Sequence, residues 1–107
     1  MTTFDKREEA FEKKFVIDED LKFKALARSN RLLGLWVAEK LGLSGAEAQA
    51  YVRAVIEAEF SEGRDAAVVR KVVDDLAAKG VSIDEQEVRA RMNEWMAQSI
   101  AQLKAGM

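Results

Sequence analysis

Apolar side chains recur every three or four residues along most of the chain, which is the spacing of one face of an α-helix. The stretch after Gly42 carries such a stripe, formed by Ala48, Tyr51, Val55 and Ala58. Two further stripes follow Gly63 and Gly80, formed by Val68, Val69, Val72, Val73 and Leu76, and then by Val88, Met92, Trp95, Met96, Ser99, Ile100 and Leu103. The pattern predicts amphipathic helices that share one core.

Glycines and capping residues indicate where these helices begin and end. Gly42 and Gly80 stand where a left-handed residue closes a helix. Three candidate N-terminal caps are the capping boxes Ser44 with Glu47 and Ser82 with Glu85, and Asp65 between them. We predict helices over about 20–41, 44–61, 65–80 and 82–104. The predicted fold class is therefore all-α, a four-helix bundle with a flexible, helix-prone N-terminal segment.

The first of these helices has an unusual apolar run. Residues Leu32 to Ala38 are apolar on every side of the helix, with Leu35 opposite Leu33. A helix of this kind needs more than one neighbour to cover it. We therefore expect it to be the central helix of the bundle.

The first nineteen residues differ from the rest in charge. Ten of these nineteen are charged, nearly twice the density elsewhere, and helical spacing places Phe4, Phe11 and Phe15 on one face. Burying three such rings contributes roughly 5–9 kcal/mol gross, whereas ordering such a segment costs roughly 2–5 kcal/mol. We predict that residues 1–19 are flexible when free and helical in a partner's groove, and that residues 20–107 form the bundle. The alternative, that the three rings join the bundle core, stays open.

Composition narrows the chemistry of the chain. It has 17 basic and 19 acidic residues and no cysteine, histidine or proline, so disulfides, Cys/His zinc sites and histidine catalysis lack their residues. The charges alternate in sign, which disfavours a nucleic-acid surface. The longest apolar run is far shorter than the roughly 20 residues that span a bilayer, and the N-terminus lacks a secretory signal. We expect a cytoplasmic protein that neither binds nucleic acid nor inserts into a membrane.

Acidic clusters are the main candidates for catalysis or metal binding, and they are formed by Glu57, Glu59 and Glu62 and by Asp74 and Asp75. Such carboxylates can bind Mg²⁺ or act as an acid/base pair, but solvated helix faces explain them better. We therefore predict no catalytic residue, no metal site and no enzymatic activity. Similarly, Lys24, Arg28 and Arg31 could meet an anion, although a charged solvent face is the preferred interpretation.

Two aromatic residues of the second helix have separate interpretations. Tyr51 lies on the apolar stripe, and we expect it to pack with its hydroxyl at the edge of the core. Phe60 projects near Arg53 and Glu57, where it could either cover the helix end or contact a partner.

The segment FDKREEAFEKKFVIDEDLKFKALARSNRLLGLWVAEKLGLSG, from Phe4 to Gly45, resembles the zeta subunit of the F1Fo ATP synthase of alphaproteobacteria, a family long catalogued as a domain of unknown function. The likeness continues around Tyr51 and through KVVDDLAAKGV, from Lys71 to Val81. Its most specific part is the Arg-x-Asn-Arg step followed by Leu-Gly-Leu-Trp. The chain departs from the family pattern at Ser29, where arginine is usual, and at Glu59, where aspartate is usual.

The resemblance implies a regulatory subunit that inhibits ATP hydrolysis by the F1Fo ATP synthase. In that family the N-terminal segment becomes helical and enters the catalytic interface between the alpha and beta subunits, beside the gamma rotor. Carried over by position, residues 2–17 are the inhibitory segment, with contacts at Phe4, Arg7, Phe11, Lys14 and Phe15. The alpha, beta and gamma subunits of F1 are the implied partners, and they would hold the protein at the inner face of the inner membrane.

A second function from the same resemblance is a small adenine-nucleotide-binding or sensing bundle. ATP or ADP binding is associated with the family, although inhibition requires no cofactor. Nothing in the spacing of this chain locates such a site, so the cofactor-binding residues stay unknown.

Overall fold

The structure, a computed structural model, describes residues 19–106. In this range the chain forms four α-helices and no strand: α1 Glu19–Leu41, α2 Gly45–Glu59, α3 Arg64–Ala78 and α4 Glu85–Lys104. The all-α four-helix fold predicted from the periodicity is therefore confirmed. None of the described helices is both long and apolar enough to cross a bilayer.

Helix α1 is the central helix, as its apolar run predicted. It packs along both α2 and α4 and also contacts α3. Its residues Leu33, Val37 and Ala38 are buried, whereas Leu35 on the opposite side is 36% exposed. The neighbours therefore cover most of the apolar run but leave the Leu35 side open to solvent.

A glycine allows α1 and α2 to approach closely. A Cβ atom added to Gly34 would lie 3.0 Å from the Cα of Val52, which is tighter than backbone atoms normally tolerate. The absence of a side chain at Gly34 therefore sets the short distance between these two helices.

Two apolar clusters form the core of the described residues. The larger one joins all four helices and is formed by Leu33, Val37, Val55, Val68, Val69, Val72, Leu76, Val88 and Met92. The smaller one lies between the first half of α1 and the second half of α4, and is formed by Ala25, Leu26, Met96 and Ile100. The β-branched valines of α3 favour the helix little by intrinsic propensity, so α3 depends on this packing.

The predicted C-terminal glycines close α1 and α3. Gly42 and Gly80 have φ angles of 77° and 78°. Beyond each glycine a backbone amide reaches back to the helix, with Leu43 donating to the Ala38 carbonyl and Val81 to the Leu76 carbonyl, both at 2.9 Å. This is the Schellman arrangement, which satisfies carbonyl groups that would otherwise lack partners.

Only one of the three predicted N-terminal caps stands at the predicted position in the structure. Ser44 is the N-cap of α2, but its side chain makes no capping hydrogen bond. Helix α3 begins at Arg64 after Gly63, so Asp65 lies inside its first turn rather than capping it. Helix α4 is capped by Asp84, whose Oδ1 accepts a 2.8 Å hydrogen bond from the Gln86 amide. The capping box predicted at Ser82 is therefore wrong, because α4 begins only at Glu85, where the extended backbone of Asp84 brings its carboxylate to a first-turn amide.

Candidate functional site

The five predicted partner contacts, Phe4, Arg7, Phe11, Lys14 and Phe15, lie outside the described residues. The described part nearest to them in the chain is the first turn of α1. Its acidic residues Glu19 and Asp20 favour a helix N-terminus, and they pair with Lys22 at 3.4 Å and with Lys24 at 3.1 Å. This end of the bundle is the one that adjoins the predicted inhibitory segment.

Two aromatic rings stack on the surface at the same end of the bundle. Phe23 of α1 and Phe60, the C-cap of α2, have ring centroids 5.2 Å apart and planes inclined by 25°. Phe23 is 58% exposed and Phe60 is 48% exposed. Phe60 thus packs against α1 at the end of α2 and still presents about half of its surface to solvent. We call these two residues the Phe23–Phe60 pair.

Sequence reasoning did not single out Phe23. It precedes Asn30 by seven residues, a spacing that places the two about 20° apart around the helix axis. Asn30 is fully buried, so periodicity alone assigns Phe23 to the buried face. Phe23 is exposed because it lies level with Phe60, where α2 has already ended.

A buried polar contact lies further along α1. Asn30 Nδ2 donates a 2.9 Å hydrogen bond to Glu59 Oε1, and both residues are fully buried. The expectation that Glu59 belongs to a solvated acidic face is therefore wrong. Glu59 follows Val52 by seven residues, and this spacing was the signal that places it on the buried stripe of α2.

Ser29, the other departure from the family pattern, is also fully buried. Its hydroxyl lies 3.3 Å from the Met92 carbonyl oxygen and donates to it. The serine therefore joins α1 to α4, in a position where solvent does not reach it.

The remaining acidic candidates behave as surface groups. Glu57, Glu62 and Asp74 are exposed, as expected for solvated helix faces. Asp75 is half-buried and receives a 2.8 Å hydrogen bond from the Tyr51 hydroxyl and a 3.1 Å ion pair from Lys71. Within residues 19–106, no three acidic side chains are grouped as a metal site would require.

The phenol of Tyr51 is strongly perturbed by its surroundings. Burial, the hydrogen bond to Asp75 and the negative charge of Asp75 all raise the pKa of its phenol. The hydroxyl lies at the edge of the core, as predicted, and Lys71 lies over the ring at 5.1 Å from its centroid. These contacts join α2 to α3 and explain Tyr51 as a packing residue.

Two of the three candidate anion-binding cations contact protein groups. Lys24 pairs with Asp20, and Arg28 Nη1 donates to Gln102 Oε1 of α4 at 3.2 Å. Arg31 is exposed. This distribution agrees with the preferred interpretation of a charged surface.

Two other surface features combine cations with a cavity or an aromatic ring. Lys40 and Arg91 lie over the Trp36 ring at 4.8 and 5.2 Å, and Trp95 meets that ring edge-on at 5.8 Å. The other feature is an open groove along α3, lined by Gly63, Ala66, Ala67, Arg70, Lys71 and Asp74. Its two cations suit a phosphate, but none of these lining residues is aromatic and able to stack on an adenine.

Comparison with known proteins covers both the bundle and the residues that precede it. The model of the ATPase inhibitor subunit zeta family matches residues 1–102. A protein solved by solution NMR is 48% identical, with a TM-score of 0.67 over 81% of this chain and 99% of that chain. No curated protein sequence matches the chain. Since the family match extends over nearly all of the sequence, the chain belongs to the ATPase inhibitor subunit zeta family.

Proposed function

We propose that this protein is a non-catalytic regulatory subunit that inhibits ATP hydrolysis by the F1Fo ATP synthase. The observation that carries the proposal is the family match, which includes residues 1–18 together with the bundle. F1 would then be its partner, and through F1 the protein would lie at the inner face of the inner membrane.

The proposed mechanism assigns inhibition to residues 1–18. These residues would enter the interface between the alpha and beta subunits, beside gamma, as a helix. This interface closes and reopens during each rotary step, and a ligand that prefers one of the two states holds the interface in that state. The strength of inhibition is then set by the difference between the ligand's affinities for the two states. No residue of the inhibitor needs to perform chemistry.

The composition of this segment supports such a contact. Phe4, Phe11 and Phe15 supply the apolar face that would be buried in the interface. Arg7 and Lys14 supply charges that orient the helix and accelerate its association.

Deletion of residues 1–18 tests the proposal. We expect the shortened chain to lose inhibition of ATP hydrolysis by purified F1, while its thermal unfolding stays close to that of the full chain. Within the segment, Phe11→Ser should weaken inhibition, whereas Gln49→Ala, on the exposed side of α2, should not. A shortened chain that inhibits as well as the full chain would contradict the proposal.

Adenine-nucleotide binding by the bundle is the second candidate function. The groove beside Arg70 and Lys71 is the feature that favours it. An NMR titration with ATP and ADP separates it from simple inhibition, because a nucleotide sensor requires saturable shifts within residues 19–106.

A further inference from the structure

The Phe23–Phe60 pair places two large exposed apolar side chains side by side on the described surface. Phe23, Phe60 and Leu35 are its exposed large apolar residues, and only the two phenylalanines contact each other. Stacking removes part of each ring from water, but about half of each remains exposed. Adjacent exposed aromatic rings are typical of the anchor residues of protein interfaces.

The pair lies where residues 1–18 join the bundle. Phe23 follows Glu19, the first residue of α1, by four positions, which is about 6 Å along a helix axis. A segment that occupies a cleft therefore brings the pair to the mouth of that cleft. No other described surface with large exposed apolar side chains is so close to this junction in the chain.

We propose that the Phe23–Phe60 pair is a second contact with the ATPase, seated in an apolar recess beside the cleft that receives residues 1–18. This inference rests on the proposed function and extends it from the segment to the bundle. The two rings would insert as one unit, because their stacking already orders them before binding.

The charges around the pair indicate the character of the partner surface. Glu57 lies one turn before Phe60 and Glu62 lies two residues after it, and both are exposed. On the other side, Lys24 is already paired with Asp20. Arg53, seven residues before Phe60 on the same side of α2, is also exposed. A recess for the pair is thus expected to have an apolar floor and a rim of both signs, basic where it faces Glu57 and Glu62 and acidic where it faces Arg53.

The test uses the full chain with Phe23→Ser, Phe60→Ser and both changes together, assayed as inhibitors of ATP hydrolysis by purified F1. We expect each single change to raise the half-inhibitory concentration by at least about tenfold, as for an interface anchor. The double change should raise it by less than the product of the two, because the rings contact each other. Inhibition at saturating protein should be unchanged, since residues 1–18 are intact.

Leu35→Ser is the matched control, because Leu35 is a large exposed apolar residue on another part of α1. It should change the half-inhibitory concentration by less than about twofold. Thermal unfolding of each variant verifies the fold, and glutamine at positions 23 and 60 replaces serine if a serine variant unfolds.

Three results would overturn the inference. If the double variant has the same half-inhibitory concentration as the wild type, the pair does not contact the ATPase. Tighter inhibition shows that the pair instead holds residues 1–18 against the bundle. If the wild type is a dimer in sedimentation equilibrium, and the double variant is a monomer that inhibits as well as the wild type, the pair binds a second copy of the chain.

The deletion of residues 1–18 separates this inference from the proposed function. If the deletion abolishes inhibition and the double phenylalanine variant inhibits normally, only the second contact is wrong. If the shortened chain still inhibits, the proposed function itself fails.

Discussion

At the scale of single residues, a buried carboxylate joins α1 to the end of α2. Glu59 and Asn30 are fully buried and hydrogen-bonded to each other at 2.9 Å. A buried carboxylate without donors is costly, so the amide of Asn30 offsets part of the desolvation of Glu59. Because the contact joins two helices, it also favours one alignment of α1 along α2.

Replacement of Asn30 tests how much its hydrogen bond to Glu59 contributes to the stability of the fold. We expect Asn30→Ala to lower the free energy of unfolding by about 1–3 kcal/mol, since it removes one hydrogen-bond donor from a buried carboxylate. Urea denaturation measures the change. Asn93→Ala, at an exposed position of α4, is the control and should stay within about 0.5 kcal/mol of the wild type. A loss no larger for Asn30→Ala than for this control would be inconsistent with a buried contact.

Tyr51 gives the molecule a specific dependence on alkaline pH. Its pKa is raised in the folded chain, above the value of about 10 in an unfolded chain. The neutral phenol therefore contributes stability that is fully present below pH of about 10 and is lost as pH rises further. Above that pH, the wild type should lose up to about 1.4 kcal/mol per pH unit more than Tyr51→Phe.

The measurement is direct because Tyr51 is the only tyrosine of the chain. Phenolate absorbance should appear together with the loss of helical circular dichroism, not before it. Full ionisation near pH of about 10 in a chain that is still helical would refute the raised pKa.

At the scale of helices, the ends were predicted unequally. The glycine C-termini of α1 and α3 were identified from sequence, since a left-handed residue after a helix strongly favours glycine. Of the three predicted N-terminal caps, only the position of Ser44 was identified. Several residues before α4 have suitable side chains, and only the backbone conformation decides that Asp84 rather than Ser82 reaches a free amide.

Substitution of the caps should distinguish the two assignments. We expect Asp84→Ala to lower the free energy of unfolding by about 1 kcal/mol, because it removes the hydrogen bond to the Gln86 amide. Ser82→Ala and Ser44→Ala should each cost less than about 0.5 kcal/mol. If Asp84→Ala and Ser82→Ala lower the free energy of unfolding equally, in thermal or urea unfolding, the result would instead support a capping box at Ser82.

At the scale of the whole molecule, the central position of α1 followed from its apolar run. The run requires two or more neighbours, and α2 and α4 provide them. The exposure of Phe23 at the end of the bundle could not be predicted in this way. Whether Phe23 is covered depends on where α2 stops, and periodicity along α1 contains no information about the length of another helix.

The proposed function also belongs to this scale. Residues 1–18 would supply the inhibitory helix, and the bundle would place the Phe23–Phe60 pair beside the point where they join. In this arrangement the chain acts by occupying space between moving subunits, for which the lack of cysteine and histidine is no disadvantage.

The sequence by itself determined the four helices, their C-terminal glycines, the apolar stripes and the family. These properties follow from local spacing, because each residue's position on its own helix depends only on its neighbours in the chain. The tertiary structure alone decided that Glu59 pairs with Asn30 and that Phe23 stacks on Phe60 in solvent. Those outcomes depend on where one helix ends against another, which is set by packing between residues distant in sequence.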